Sequence, residues 1–537
     1  MYRRYLGILV VVLAAFALYA CGGGGGGGST TPTGAATVSL TDAPGDYDHA
    51  YVTVKEIWFH TSDTAGPDDA GWRKYPLVAP VTVDLIALSN GVISSPIWDN
   101  IAVEVGTYLQ IRLVLAGTED ALTDSAKTAK SGASLKYNNE IIIGANEYAL
   151  RIPDARHGIR LAGTFQITDG GVLRLAIDID AGHDVVDIQR NGLTEYVLKP
   201  SLAYCDLDDA GAIVSYITPT SAIPSAHFVI KAEQVNDSLN PQYHVVKRWT
   251  IADPSTGKFV LYPLKPGTYD LVMRGLGYQT VIAKGVPVTK GTTPITATPI
   301  STITMTAGTP DYTVGAAITS PTGAWVNFYQ TLQGSGELPY EIRFRHLNPI
   351  TGQFSGFQLS SDQVWVGTYN SGAISGLTLT TPMEGLGKFG AVADAVLYDR
   401  SASQLVSSVT PTPLSLGSLN PTAPAVSRSI SGTITVPSMG MGMMNNGVLF
   451  AVHGGMIVNT LNNGNYGSMS SLMMSGGSYT MANLPGGSSA TPLPGAFYGV
   501  EALGWSPTAL GIGIPRVADL RTGDDTGVDM QMLMLLP

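Results

Sequence analysis

Charge is scarce in this chain: only 13% of its 537 residues are Asp, Glu, Lys or Arg. Soluble domains carry about a quarter, so Ser, Thr, Asn and Gly must cover much of the surface. Basic residues number 30 against 41 acidic ones, a net charge of −11. That balance excludes a nucleic-acid partner, because phosphate binding needs a basic face. Cysteine is almost missing. Cys21 and Cys205 are the two present, too few for a disulfide framework, so stability must come from packed cores. No apolar run reaches the about 20 residues of a membrane-spanning helix. There is no Gly-x-Ser-x-Gly elbow or His-Glu-x-x-His helix, and the eight His are scattered. A non-enzyme without a cofactor is expected.

What is abundant is glycine and proline, 63 and 33 residues, high but below the level of a wholly disordered chain. Seven glycines, Gly22 to Gly28, form one run. No strand precedes it and no Lys-Ser/Thr follows, so it is a flexible tether rather than a phosphate loop. Before it, Arg3 and Arg4 lead into the apolar stretch Leu6 to Leu18, the length of a signal-peptide core. The sequence Leu18-Tyr19-Ala20-Cys21 resembles a bacterial lipobox. It implies cleavage after residue 20 and acylation of Cys21, for example with palmitate, with the membrane as partner through that lipid. By resemblance to Gram-negative sorting, Gly22 after the cysteine favours the outer membrane. The side faced stays open.

Period-two alternation dominates the remainder. Leu109, Ile111, Leu113 and Leu115 alternate with Tyr108, Gln110, Arg112 and Val114; Leu173, Leu175, Ile177 and Ile179 with Arg174, Ala176, Asp178 and Asp180. Such patterns, punctuated by Asp169-Gly170-Gly171, Asn191-Gly192 and Pro266-Gly267, predict half-buried strands and an all-β fold of tandem β-sandwiches. Short helices are predicted only around residues 83–90 and 119–128. Charge sets a boundary: residues 36–210 hold 25 acids and 13 bases, the remainder 16 and 17. The expected parts are a signal at 1–20, a tether at 21–35, an acidic domain at 36–210, and β-modules at 211–304, 305–425 and 426–537.

Six motifs in order mark the acidic domain: Ser39 to Gly45, Val83 to Gly91, Gly106 to Leu113, Arg151-Ile152-Pro153, Ile177 to Asp180, and Tyr196 to Pro200. Together they resemble the domain of unknown function 4382 family of bacterial lipoproteins, which implies a β-sandwich and no established chemistry. Thr256 to Leu271, running on to Gly277-Tyr278, resembles the carboxypeptidase regulatory-like module, a transthyretin-like sandwich without peptidase machinery. Its expected form is a strand, a Pro-Gly hairpin turn, a second strand and an aromatic cap. Gly477 to Gly486 is a looser copy.

Several clusters carry chemistry. Asp42, Asp46 and Asp48 flank a turn, and Asp178, Asp180, Asp184 and Asp187 surround Gly182-His183. Carboxylates in turns suit calcium, but the spacing is not that of an EF-hand, and a solvated strand face explains Asp178 and Asp180 more simply. Twelve of 16 Met lie beyond residue 438. Met439, Met441, Met443 and Met444 offer soft thioethers to copper(I); the same residues suit a flexible apolar contact surface or a core. Ser255-Thr256-Gly257-Lys258 formally matches Ser-x-x-Lys but reads as a turn. Cys205 reads as a small buried hydrophobe. Trp58, Trp72 and Tyr75 bracket the Asp- and Gly-rich loop 61–71 and are candidates for a sugar- or peptide-binding surface. These features point to a lipid-anchored envelope protein displaying β-sandwiches for adhesion, matrix contact or scaffolding, with an unidentified protein or polysaccharide as partner. A carbohydrate- or calcium-binding lipoprotein and a copper-handling one are the alternatives.

Overall fold

Strands make up nearly all the regular structure in the computed structural model of the protein. It describes residues 31–537 except 46, 131–132, 191–192, 199–201, 220–226, 237–241, 314–315, 318–322, 355, 361, 408–413, 438–443, 445, 455, 463–468, 507–508 and 536–537. Cys21, the glycine run, Asp46, Met439, Met441 and Met443 therefore lie outside the described residues. Among the described residues no helix is long and apolar enough to cross a membrane.

The acidic part is a two-sheet sandwich. Thr33–Asp42 runs parallel to Val172–Ile179 and antiparallel to Trp98–Glu104, and Ala203–Asp206 closes that sheet. The facing sheet centres on His49–His60, paired with Gly106–Leu115 and Arg73–Asp84. Val38, Leu40, Leu175 and Ile177 meet Val52, Ile57, Phe59, Ile111 and Leu113 in one core. In residues 173–179 Leu175, Ile177 and Ile179 are buried as the alternation predicts, Leu173 is half-buried, and Ala176 on the other face is buried as well. In Gly106–Leu115 it is not. A register shift between Tyr108 and Gln110 is a bulge, which bends a strand and redirects its side chains. Tyr108 is therefore in the core at 2% exposure, while Leu109 is half-buried.

Beyond residue 210, strand Gly211–Pro219 pairs with Lys258–Leu264. Gly267–Gly275 sits instead in a six-stranded sheet, between Phe228–Val235 and Val281–Val288. The expected Pro266-Gly267 hairpin is thus a corner that passes the chain from one sheet to another. Tyr278 is buried at 1% exposure against Phe228, as expected of a cap. The boundary expected at 304 cuts through this sheet: Val281–Val288 pairs in parallel with Val364–Asn370, which pairs with Ala373–Thr380. Backbone pairing is blind to local alternation, so a strand borrowed from about 80 residues downstream leaves no trace in the pattern. Trp325–Gln330, Tyr340–His346, Lys388–Asp394 and Gln404–Ser407 form a further sheet. Its core takes in Val272 and Ile282 from the preceding one. A nine-stranded sheet holds the strands of residues 426–535.

These units do not hang in a row. Asn90 accepts a hydrogen bond from the Val260 amide at 2.7 Å, Lys231 pairs with Glu341 at 2.7 Å, and the Thr460 hydroxyl donates to the Pro349 carbonyl at 2.6 Å. The circuit then closes on the first unit. The Arg160 amide donates to the Gly454 carbonyl at 3.1 Å, and the Asp154 amide donates to Glu501. Val197 of the first unit is packed in one apolar cluster with Val448, Phe450, Leu503 and Trp505 of the last.

Candidate functional site: a cleft where three modules meet

The site begins with two consecutive residues, Arg248 and Trp249. A register shift opposite Ala232 and Glu233 leaves Lys247 as an extra residue in strand His244–Ile251, a bulge that twists the strand toward the first module. Arg248 then reaches into that module. It donates to the Asp178 carboxylate at 3.0 Å, the Thr41 hydroxyl at 2.8 Å and the Asp42 carbonyl at 3.1 Å. Trp249 donates to the Asp180 carboxylate at 2.6 Å. Asp180 also caps the short helix Ala181–Asp184, accepting from the His183 amide at 2.9 Å, and its other bond is to the His183 ring at 2.8 Å.

Burial pushes the Asp178 carboxyl up to about 6 despite Arg248. Burial pushes Asp42 well above the usual carboxylate range; the Ala181 amide opposes this, and Asp180 and Asp178 add to it. Burial also acts to raise Asp180, but attraction to His183 and hydrogen bonds from His183 and Trp249 outweigh it, so that carboxyl sits below its ordinary value.

The reading of Asp178 and Asp180 as a solvated face is therefore corrected. The strand face is polar, but the next module covers it. Of the acids expected to suit calcium, Asp178 through its carboxylate and Asp42 through its backbone carbonyl accept from Arg248, and no cluster of three or more ligating acids, His or Cys is present among the described residues, which do not include Asp46. Asp48 is exposed and accepts from the Gly144 amide at 2.6 Å, Asp184 is buried at 2% exposure, and the side chain of Asp187 lies outside the described residues.

Aromatic rings line the open side. The His183 ring lies 4.8 Å from Trp249 and 4.4 Å from Phe344; Phe344 lies 4.7 Å from His346, and Trp325 is 6.2 Å from both. They edge a cleft of about 390 Å³ whose polar lining includes Asn327, Glu341, Asp394 and Arg400. Arg400 holds Asp394 through two bonds of 2.8 and 2.7 Å and lies 3.3 Å over the Tyr243 ring. A second hollow of about 580 Å³ shares His183, Trp249, Phe344 and His346 with the first. Aromatic faces beside fixed hydrogen-bonding groups are the chemistry of a small-ligand or sugar site.

The other expected sites fall elsewhere. Trp58 is only 5% exposed, lies under Lys74 at 3.6 Å and donates to Glu56 at 2.7 Å. Trp72 and Tyr75 are half-buried, on His60 at 4.9 Å and on Phe59 at 5.8 Å. Their loop is held by the last module, where a Cβ on Gly66 would meet the Phe497 ring at 2.9 Å. They are packing residues, not an open surface. Met444 is fully buried in the last core with Met469, Met473, Met481, Met530 and Met532, so these six methionines fill space. Asp253 accepts from Ser255 and Thr256 in the turn before Lys258, and Cys205 is buried at 6% exposure with its thiol pushed up by burial to about 11.

The architecture defines an all-β, multi-sandwich protein with an inter-module cleft. Within it, residues 33–200 match the family model described as "Domain of unknown function (DUF4382)". No curated protein matches the chain. Among solved structures it is similar to the Bacillus anthracis TIE protein, at 8% identity and a TM-score of 0.15, over 91% of this chain and 69% of that one. A streptococcal ancillary pilin matches at 8% identity and a TM-score of 0.14, over 60% of this chain and 99% of the pilin. The major pilin subunit of Bacillus cereus matches at 12% identity and 0.13, with the same two shares.

Proposed function

We propose that this is a lipid-anchored, non-enzymatic protein of the cell envelope that makes matrix contact by holding a length of polysaccharide in the inter-module cleft. The observation that carries this reading is the wall of His183, Trp249, Trp325, Phe344 and His346 around a cleft of about 390 Å³. A sugar ring lays its C–H face on an aromatic side chain, while its hydroxyls bond to carboxylates and amides such as Glu341 and Asn327. Arg248 and Trp249 tie the first two modules together and the Lys231–Glu341 pair ties in the third, which holds these groups in place before a ligand arrives and lowers the entropic cost of binding. The lipobox at residues 18–21 and the glycine tether support anchoring, with Cys21 as the acylated residue.

The test is a titration of the protein with fragments of envelope polysaccharide, followed by tryptophan emission. Trp325→Ala is expected to weaken binding at least tenfold and Trp72→Phe to leave it unchanged. Absence of binding, or equal effects of the two substitutions, overturns the reading. Metabolic labelling with palmitate, lost in Cys21→Ser, tests the anchor. Protease shaving of intact cells tests which side the modules face.

A further inference from the structure

We infer that the polysaccharide is uncharged and that Asn327 selects it, the amide oxygen of that residue accepting a hydrogen bond from a sugar hydroxyl. This rests on the polysaccharide reading of the cleft. Strand Trp325–Gln330 buries Val326 and Phe328 in the core of its sheet, and alternation turns Trp325 and Asn327 to the opposite face. Across the strands Asn327 pairs with Phe344, and Trp325 with His346 and Asp394, so the amide lies beside the rings of the cleft wall. Its nitrogen Nδ2 donates to Asp394 Oδ2 at 2.6 Å. Turning the amide over would set its carbonyl against that carboxylate, so its orientation is fixed. Asn327 lines the cleft and is only 7% exposed, and among the described residues nothing donates to its Oδ1. A buried acceptor left without a donor is costly, and a hydroxyl entering the cleft relieves it.

The charged groups of the cleft are bonded within the protein. Asp178 accepts from Arg248 at 3.0 Å, Asp180 bonds the His183 ring at 2.8 Å, Glu341 pairs with Lys231 at 2.7 Å, and Asp394 takes both arms of Arg400. Asp184, the fifth acid of the lining, is buried at 2% exposure. The bases of the lining are Lys247, Arg248 and Arg400, so acids outnumber them five to three. An anionic glycan would enter against that excess. Its carboxylate or sulfate oxygens also only accept, which leaves Asn327 Oδ1 without a donor. An ammonium-bearing glycan can donate, but the carboxylates it would meet are already bonded, and a neutral amide oxygen does not replace the water that the charge gives up. A hydroxyl donates and carries no charge to desolvate.

The experiment titrates the full-length protein in detergent with cello-, laminari-, manno- and galacto-oligosaccharides, each beside its C6-oxidised uronate, and with chitosan oligomers. At least one neutral sugar is expected to bind, about tenfold or more tightly than its uronate and than chitosan. That binding should persist in 0.5 M NaCl, since there is no ligand charge to screen. Deoxyfluoro analogues of the sugar remove one donor at a time without adding bulk, and at least one should bind about tenfold more weakly. In Asn327→Leu the parent sugar should weaken about tenfold, and that analogue should then bind as well as the parent. Should the variant fail to fold, the wild-type comparisons still support or refute the inference. A uronate or chitosan that binds as tightly as the neutral sugars overturns the inference and leaves the polysaccharide reading in place. So do fluoro analogues that all match the parent, or a fluoro effect undiminished in the variant. No binding by any member of the series overturns both.

Discussion

Replacing Arg248 by Met keeps the bulk of the side chain and removes its charge from the seam between the first two modules. Arg248 is 5% exposed, and three acceptors lose their donor at once: the Asp178 carboxylate, the Thr41 hydroxyl and the Asp42 carbonyl. Breaking a buried pair on one side costs about 3–5 kcal/mol, because the remaining charge is left uncompensated. Here a limit applies. Asp178 already titrates at about 6 and can take up a proton once Arg248 is gone, at about 1.4 kcal/mol per unit of pH. The expected loss is therefore about 3 kcal/mol at pH 8. At pH 5 Asp178 is largely protonated in the wild type too, so only the neutral hydrogen bonds are lost and the cost falls to about 1–2 kcal/mol. Urea unfolding of the full-length protein at both pH values measures this. Arg248→Met combined with Asp178→Asn removes the orphaned charge and should recover about 1 kcal/mol or more of the loss at pH 8. A loss under about 0.5 kcal/mol, or equal losses in the single and double variants, refutes the account.

Three other outcomes follow from the packing. Burial pushes the Glu501 carboxyl up to about 8 from its ordinary 4.5, at the contact between first and last modules. The folded form thus holds a proton that the unfolded chain releases. This contribution is complete below about pH 4.5 and is lost as pH rises through about 8; Glu501→Gln should flatten the fall in melting temperature between pH 6 and 9, and an unchanged slope counts against it. In the last core, Gly432→Ala should destabilise more than Gly511→Ala. The new Cβ would lie 2.2 Å from the Val528 carbonyl oxygen in the first and 2.4 Å from the movable Met444 sulfur in the second. About 1–3 kcal/mol is expected for Gly511→Ala, and the reverse order of melting temperatures would contradict the packing. Cys205, buried with its thiol at about 11, should resist a thiol reagent at pH 8 in the folded protein and react once it is unfolded in urea; rapid labelling of the native form would place it at the surface.

The all-β class was legible because alternation reports the local environment of each strand, and Leu175, Ile177 and Ile179 follow it. The short helix Asp124–Ala129 was legible as well. The helix Met469–Ser475 was not, because seven residues with Ser at three positions carry too little helical signal, and its buried methionines serve as core fillers. Long-range pairing was hidden for a different reason. The parallel match of Ile282 with Val366 depends on backbone hydrogen bonds that no local pattern encodes. The candidate site was missed almost entirely for that same cause. Asp178, Asp180 and His183 were noticed, but Trp249, Trp325, Phe344 and His346 come from strands far apart in the chain, and nothing local says that they meet. The one available cue was Arg343-Phe344-Arg345-His346, a basic and aromatic alternation within a predominantly acidic and neutral chain.

The apolar cluster around Val197 has a consequence for the newly made protein. The residues that cover it, Val448, Phe450, Leu503 and Trp505, come about 250 or more residues later. At synthesis rates of about 5–20 residues per second, the first sandwich waits roughly 10–50 s with the Val197 face of that strand uncovered. During the wait it is open to the wrong neighbour, such as the same strand on a second nascent chain. A holding chaperone that recognises strand Leu193–Leu198 would keep the gap clear until the last sandwich arrives to seal it.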